Sequence, residues 1–282
     1  MRAALAVLSV AGTPAVADTE LLAFMGGQGC TFGPASRAAA EATGFSADTI
    51  GALVAQSLSD GTAVQQGEYV VLGEAVCTIR LPDIRSAYSV SSPEIAAITS
   101  AVDAHASDGM PGCFVVGASE LFDKMNGGVP GAGFSEHIAF IAAGLMAGDL
   151  RFYSPSILQT PIAFQSLAGA CAEVPDIPVL RDSHVALTTG FGEYVRALGA
   201  AMPCAGASSG DLPFEQSVMA RFTATIQGVD PNVPLEDQPR INAWLWYEYD
   251  LIGMAAGWHE GMTGTDRGTP RPPLCHYDEA TG

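Results

Sequence analysis

Apolar residues recur with a helical period in two segments of this chain that read almost alike. In "GFSADTIGALVAQSLSDG", from Gly44, the apolar positions are Ile50, Leu53, Val54 and Leu58. In "GFSEHIAFIAAGLMAGD", from Gly133, Ile138, Ile141, Ala142 and Met146 repeat that spacing. Each set makes one apolar face of an amphipathic helix. Ser46 and Ser135 stand where N-caps belong, with Asp48 and Glu136 in the first turns. Both patterns stop at a Gly/Asp pair, after which "TAVQQGEYVVL" and "LRFYSPSILQT" each predict a strand, a turn and a strand. The turns fall at Gln66-Gly67 and Ser154-Pro155.

The likeness continues upstream, where "GCTFGPAS" from Gly29 matches "GCFVVGAS" from Gly112. The pattern predicts a duplicated unit: a helix, a Cys, a helix, the Gly-Phe-Ser helix, a β-hairpin and a closing Cys. Unit 1 is expected over 18–83 and unit 2 over 92–173, followed by a helical C-terminal region, 174–282, with Pro-rich linkers and a tail. In element order the unit resembles a winged helix-turn-helix module. The expected fold class is helix-dominated α+β, with two winged-helix-like repeats ahead of the helical region.

In that last region "PRINAWLWYEYDLIGMAAGWHEGM" reads as one helix from Pro239. Trp244, Tyr247, Leu251, Met254 and Trp258 form a stripe suited to a core. Gly253, Gly257 and Gly261, spaced by four, leave a strip of bare backbone downstream of Trp246 and Tyr249. Helical glycine destabilises by ~1 kcal/mol relative to Ala, so the strip suggests close approach by another element. A ligand or partner held by Trp246, Tyr249, Gly253 and Gly257 is the functional alternative.

Cysteines and charge set the context. Six cysteines, Cys30, Cys77, Cys113, Cys171, Cys204 and Cys275, fit three disulfides, and none lies in a C-x-x-C pair. Cys30 and Cys113 each open a unit and Cys77 and Cys171 each follow a hairpin, so pairing in sequence order is expected, with Cys204 joined to Cys275. The first seventeen residues, "MRAALAVLSVAGTPAVA", pair an early Arg and a short apolar run with a small-x-small end. They predict a leader cleaved near Ala17 and a periplasmic or secreted product, with no membrane span in the mature chain. A net charge of −18 repels phosphate backbones and anionic lipid headgroups. Nucleic acid is accordingly not expected as a partner, and the two Gly-Phe-Ser helices carry no Arg or Lys to read it.

Candidate chemistry is sparse. The chain has no His-Glu-x-x-His pair, no P-loop and no complete dinucleotide fingerprint, and no cofactor is expected. One cluster has metal-ligand character: His259 and Glu260 with His276 and Asp278, the latter two beside Cys275. "DPNVPLEDQP" holds Asp230, Asn232, Glu236 and Asp237 without the Gly and Glu spacing of a calcium loop, and reads as a turn. The leading expectation is an exported, disulfide-stabilised protein that binds or assembles a protein or other component of the cell envelope without catalysis. The alternative is a periplasmic hydrolase with a metal or His/carboxylate site in the C-terminal region.

Overall fold

The computed structural model describes residues 16–105, 109–110, 112–174, 176–204 and 212–277. Almost all of the expected leader and the whole tail from Asp278 lie outside them. Among the described residues the fold is helix-dominated α+β, with nine α-helices and three small antiparallel sheets. No helix of the described residues is long and apolar enough to cross a membrane.

The first part runs α1 (Val16–Gly27), β1 (Thr31–Phe32), α2 (Pro34–Ala42), α3 (Ala47–Ser59), β2 (Ala63–Gln66) and β3 (Tyr69–Leu72). The hydroxyl of Ser46 caps α3, accepting the Thr49 N–H at 3.1 Å. Ile50 and Val54 are buried on its inner face. β2 and β3 form the hairpin, and β1 adds to β3, giving the order β1-β3-β2.

The second part runs α4 (Pro93–Ala96), β4 (Phe114–Val115), α5 (Ala118–Met125), α6 (Phe134–Ala147), β5 (Leu150–Arg151) and β6 (Phe164–Ser166). Its sheet order, β4-β6-β5, follows the same plan. Cys30 and Cys113 both take left-handed backbone conformations, φ 56° and 67°. The carbonyl of each accepts an N–H from the last residue of the third strand, Leu72 at 2.9 Å and Ser166 at 2.8 Å. The disulfides pair in sequence order: Cys30–Cys77, Cys113–Cys171 and Cys204–Cys275.

Two expectations for the second part are corrected. Gly133, not Ser135, is the N-cap of α6. The Asp123 carboxylate serves this helix start from α5, accepting the N–H groups of Gly131 and Gly133 at 2.9 Å each. The second strand is Phe164–Ser166 rather than the stretch after Ser154-Pro155. Pro155 and Pro161 remove ladder donors from the intervening segment. Its carbonyls turn to the C-terminal region instead: Trp244 Nε1 donates to Ser156 and Gln159, and the Ala243 N–H to Ser154.

The third part comprises α7 (Ile177–Ala201), α8 (Leu212–Ile226), α9 (Leu245–Ala255) and a two-stranded arm, β7 (His259–Glu260) with β8 (Thr269–Pro270). α9 packs against α6, α7 and α8. One apolar core draws on all three parts, from Leu21 and Phe32 through Phe122 and Ile141 to Tyr249 and Trp258. A small satellite core surrounds Cys113–Cys171 with Tyr153, Val174 and Leu180.

Candidate functional site

α9 is shorter than its pattern implies. Residues 239–243 form no helix, because Asn242 engages its neighbours in other ways. Its Oδ1 accepts the Trp244 N–H at 3.0 Å, a local bond that competes with helix formation. Gln227 brackets the Asn242 backbone, accepting its N–H and donating to its carbonyl, both at 2.9 Å. At the other end Gly257, at φ 72°, closes the helix: its N–H donates to the Met254 carbonyl and that of Trp258 to Gly253. This is the Schellman arrangement, which favours glycine at the left-handed position.

The glycine strip read from the sequence is therefore not continuous. Gly257 is a helix cap, and Gly261 follows β7. Gly253 alone lies within the helix, and a Cβ there would meet Leu274 and Trp258 at 3.5 and 3.6 Å. The element that approaches closely is the C-terminal arm of the same chain. Trp246 and Tyr249 are 5% and 1% exposed. Trp246 lies against Trp244 and Tyr247, while Tyr249 stacks on Tyr194 and donates its hydroxyl to the Ala186 carbonyl at 2.6 Å.

Between these apolar positions α9 carries two buried carboxylates, two residues apart and so pointing to different sides. Glu248 is fully buried, and its Oε1 accepts the Phe152 N–H of the second part at 2.7 Å. Burial pushes its pKa up to about 7, against the opposing pull of the Arg151 guanidinium. Arg151 is itself fully buried and donates to the carbonyls of Leu145 and Leu150 at 2.8 and 2.6 Å. On the other side Asp250 pairs with Arg267 of the arm. His259 Nε2 lies 3.8 Å from Asp250 Oδ1, and burial pushes this imidazole down to about 4.

The sequence-predicted ligand cluster is placed as follows. His259 faces Asp250. Glu260 accepts the hydroxyl of Tyr69 from the first part. His276 Nδ1 lies 2.8 Å from the Gly199 carbonyl of α7. Asp278 lies outside the described residues. Among the described residues no group of three or more His, Cys, Asp and Glu is arranged to hold a metal ion. In "DPNVPLEDQP" a turn, in which Asp230 Oδ1 accepts the Asn232 N–H at 2.9 Å, leads into a short 3-10 helix, Leu235–Asp237.

Sequence reasoning missed a concave surface between the first part and α7. Three adjoining hollows share Arg196, which projects from α7 toward the segment after the first hairpin. The hollow of about 420 Å³ has Ile79, Leu81 and Phe191 among its apolar lining and Thr78, Thr188 and Thr189 among its hydroxyls. Arg80 adds a second guanidinium, and Glu74 and Glu193 add acids. Arg196 Nη2 donates to the Cys77 carbonyl at 2.5 Å. Burial pushes the pKa of Arg196 down, with Glu74 opposing the shift from a distance. Arg196 makes no ion pair among the described residues. The available signal was weak: an Arg in the amphipathic pattern "GEYVRALG" has no visible partner until residues 74–81 fold against it.

No family model, curated protein or solved structure matches the chain.

Proposed function

We propose that the chain is an exported, disulfide-stabilised binding or assembly protein of the cell envelope, without catalysis, built on a duplicated winged-helix-like unit. The observation that carries this reading is that all six cysteines are engaged in disulfides. Such pairing persists in oxidising compartments. The duplication is supported by the shared sheet order and by the left-handed cysteine that opens each sheet. With the acidic balance of the chain, these units are read as a scaffold that presents surfaces to a protein or envelope component.

Expression of the full chain in a bacterial host, with N-terminal sequencing of periplasmic material, tests export. A product beginning at Asp18 is expected; an unprocessed chain retained in the cytosol overturns it. Cross-linking in the intact envelope tests the binding half and is expected to yield one discrete adduct. A second reading, an exported hydrolase acting through His259, draws on the 3.8 Å approach of Asp250 to that imidazole. Its test is a hydrolase screen in which His259→Asn abolishes turnover while leaving the chain folded.

A further inference from the structure

We propose that the groove around Arg196 binds a small organic monocarboxylate with an apolar body. The inference rests on reading the chain as a binding protein and adds a site and a ligand class. A half-buried guanidinium has lost part of its hydration, and an anion that replaces that hydration with charge-assisted hydrogen bonds is held more strongly than at an exposed site. Arg196 spends one donor on the Cys77 carbonyl and forms no ion pair among the described residues. Its remaining donors suit a planar carboxylate.

The walls define the rest of the ligand. A hollow of about 420 Å³ is in the size range of small-molecule sites. Ile79, Leu81 and Phe191 offer apolar contact beside the guanidinium, and Thr78 and Thr189 offer polar contact. Glu74 and Glu193 stand on the same lining and repel a multiply charged anion such as phosphate, which favours a single negative charge.

Calorimetric titration of the disulfide-intact chain with N-acetyl-leucine, its neutral amide and inorganic phosphate tests the proposal. N-acetyl-leucine is expected to bind saturably, and the other two about tenfold more weakly or worse. Arg196→Gln is expected to weaken N-acetyl-leucine by roughly tenfold to a hundredfold, the scale of a lost charged hydrogen bond. Because Arg196 also touches the Cys77 carbonyl, Thr189→Trp supplies a second variant. Thr189 is an exposed helix position on the groove wall, where the indole blocks the hollow without disturbing the core. Absence of saturable binding, equal binding of the amide, or unchanged binding in Thr189→Trp overturns the proposal. If the envelope adduct still forms while N-acetyl-leucine does not bind, the groove assignment fails and the binding reading stands.

Discussion

The first and second parts of the molecule share a plan, yet the C-terminal region grips them differently. The second part is held directly, through the Phe152 N–H donated to buried Glu248. The first part is met by α7, through Arg196 on the Cys77 carbonyl, and by the arm: Tyr69 donates to Glu260, the Arg271 guanidinium lies over the Tyr69 ring, and Tyr277 stacks on it. The arm is in turn fixed to α9 by the Arg267–Asp250 pair and tied down by Cys204–Cys275. α9 thus carries one carboxylate toward the second part and one toward the arm. The difference teaches that a shared sheet order does not determine how two parts of a chain dock; individual side-chain contacts do.

The largest effect that bears on this comparison is expected from the disulfides. Cys30–Cys77 and Cys113–Cys171 bridge sequence separations of 47 and 58 residues. In the chain-entropy model, bridges closing loops of this length contribute about 4 kcal/mol each. Paired Cys→Ser replacement is expected to destabilise by about that amount in either unit, measured by urea unfolding. A bridge that proves nearly neutral in one unit and strong in the other breaks the equivalence.

A pH experiment separates the two sides of α9. Glu248 has a folded pKa raised from 4.5 to about 7, so the folded state keeps a proton that the unfolded chain has lost. Its contribution is full below 4.5 and declines as pH rises through 7, by about 3 kcal/mol. His259 has a folded pKa lowered from 6.5 to about 4, so the unfolded chain binds the proton first. Its contribution is full above 6.5 and declines by about 3 kcal/mol as pH falls through 4. Between 4.5 and 6.5 the two slopes oppose each other. Glu248→Gln is expected to unmask a loss of stability on acidification, and His259→Asn a loss on raising the pH. Parallel stability–pH curves for wild type and both variants would contradict this account.

The same residue type at matched positions also does different work. Gly44 and Gly133 both open a Gly-Phe-Ser segment. Gly133 has an ordinary φ of −92°, but a Cβ there would stand 2.2 Å from the Phe122 carbonyl carbon. Gly44 is surrounded by open space and has φ 105°. Gly133→Ala is therefore expected to force α5 and α6 apart and destabilise by about 3 kcal/mol. Gly44→Ala strains only its own backbone and is expected to destabilise by about 1 kcal/mol. Thermal unfolding of the two variants compares them, and a reversed order would place the close approach in the wrong unit.

These contrasts explain what was legible in the sequence. α3, the first hairpin and the pairing order of the cysteines follow from short-range pattern, since each bridge brackets one run of helix and hairpin. β1, β4 and β5 are each two residues long and carry no periodicity to read. β6 is displaced by two prolines whose neighbours bond to Trp244 and Ala243, a partnership between distant segments. For the candidate site, the aromatic stripe was visible but not the roles of Glu248, Asp250 and Arg196. Each of those depends on a partner outside its own helix: Phe152, Arg267 and the Cys77 carbonyl.

The smallest expected effect is the sharpest test of the difference between the helix starts. Ser46 accepts the Thr49 N–H at 3.1 Å, and Ser→Ala at such a cap costs about 1 kcal/mol. Ser135 lies within the first turn of α6, where Gly133 holds the cap position and Asp123 receives the local N–H groups. Ser46→Ala is expected to lower stability by about 1 kcal/mol. Ser135→Ala is expected to stay within about 0.5 kcal/mol of wild type, as surface substitutions away from a cap do. Asp123→Ala, which removes the acceptor for Gly131 and Gly133, should instead reproduce the Ser46 effect in the second unit. An equal loss in the two serine variants would mean that α6 is capped from its own sequence after all. The loss appearing in Asp123→Ala would show that the start of α6 is capped from the preceding helix.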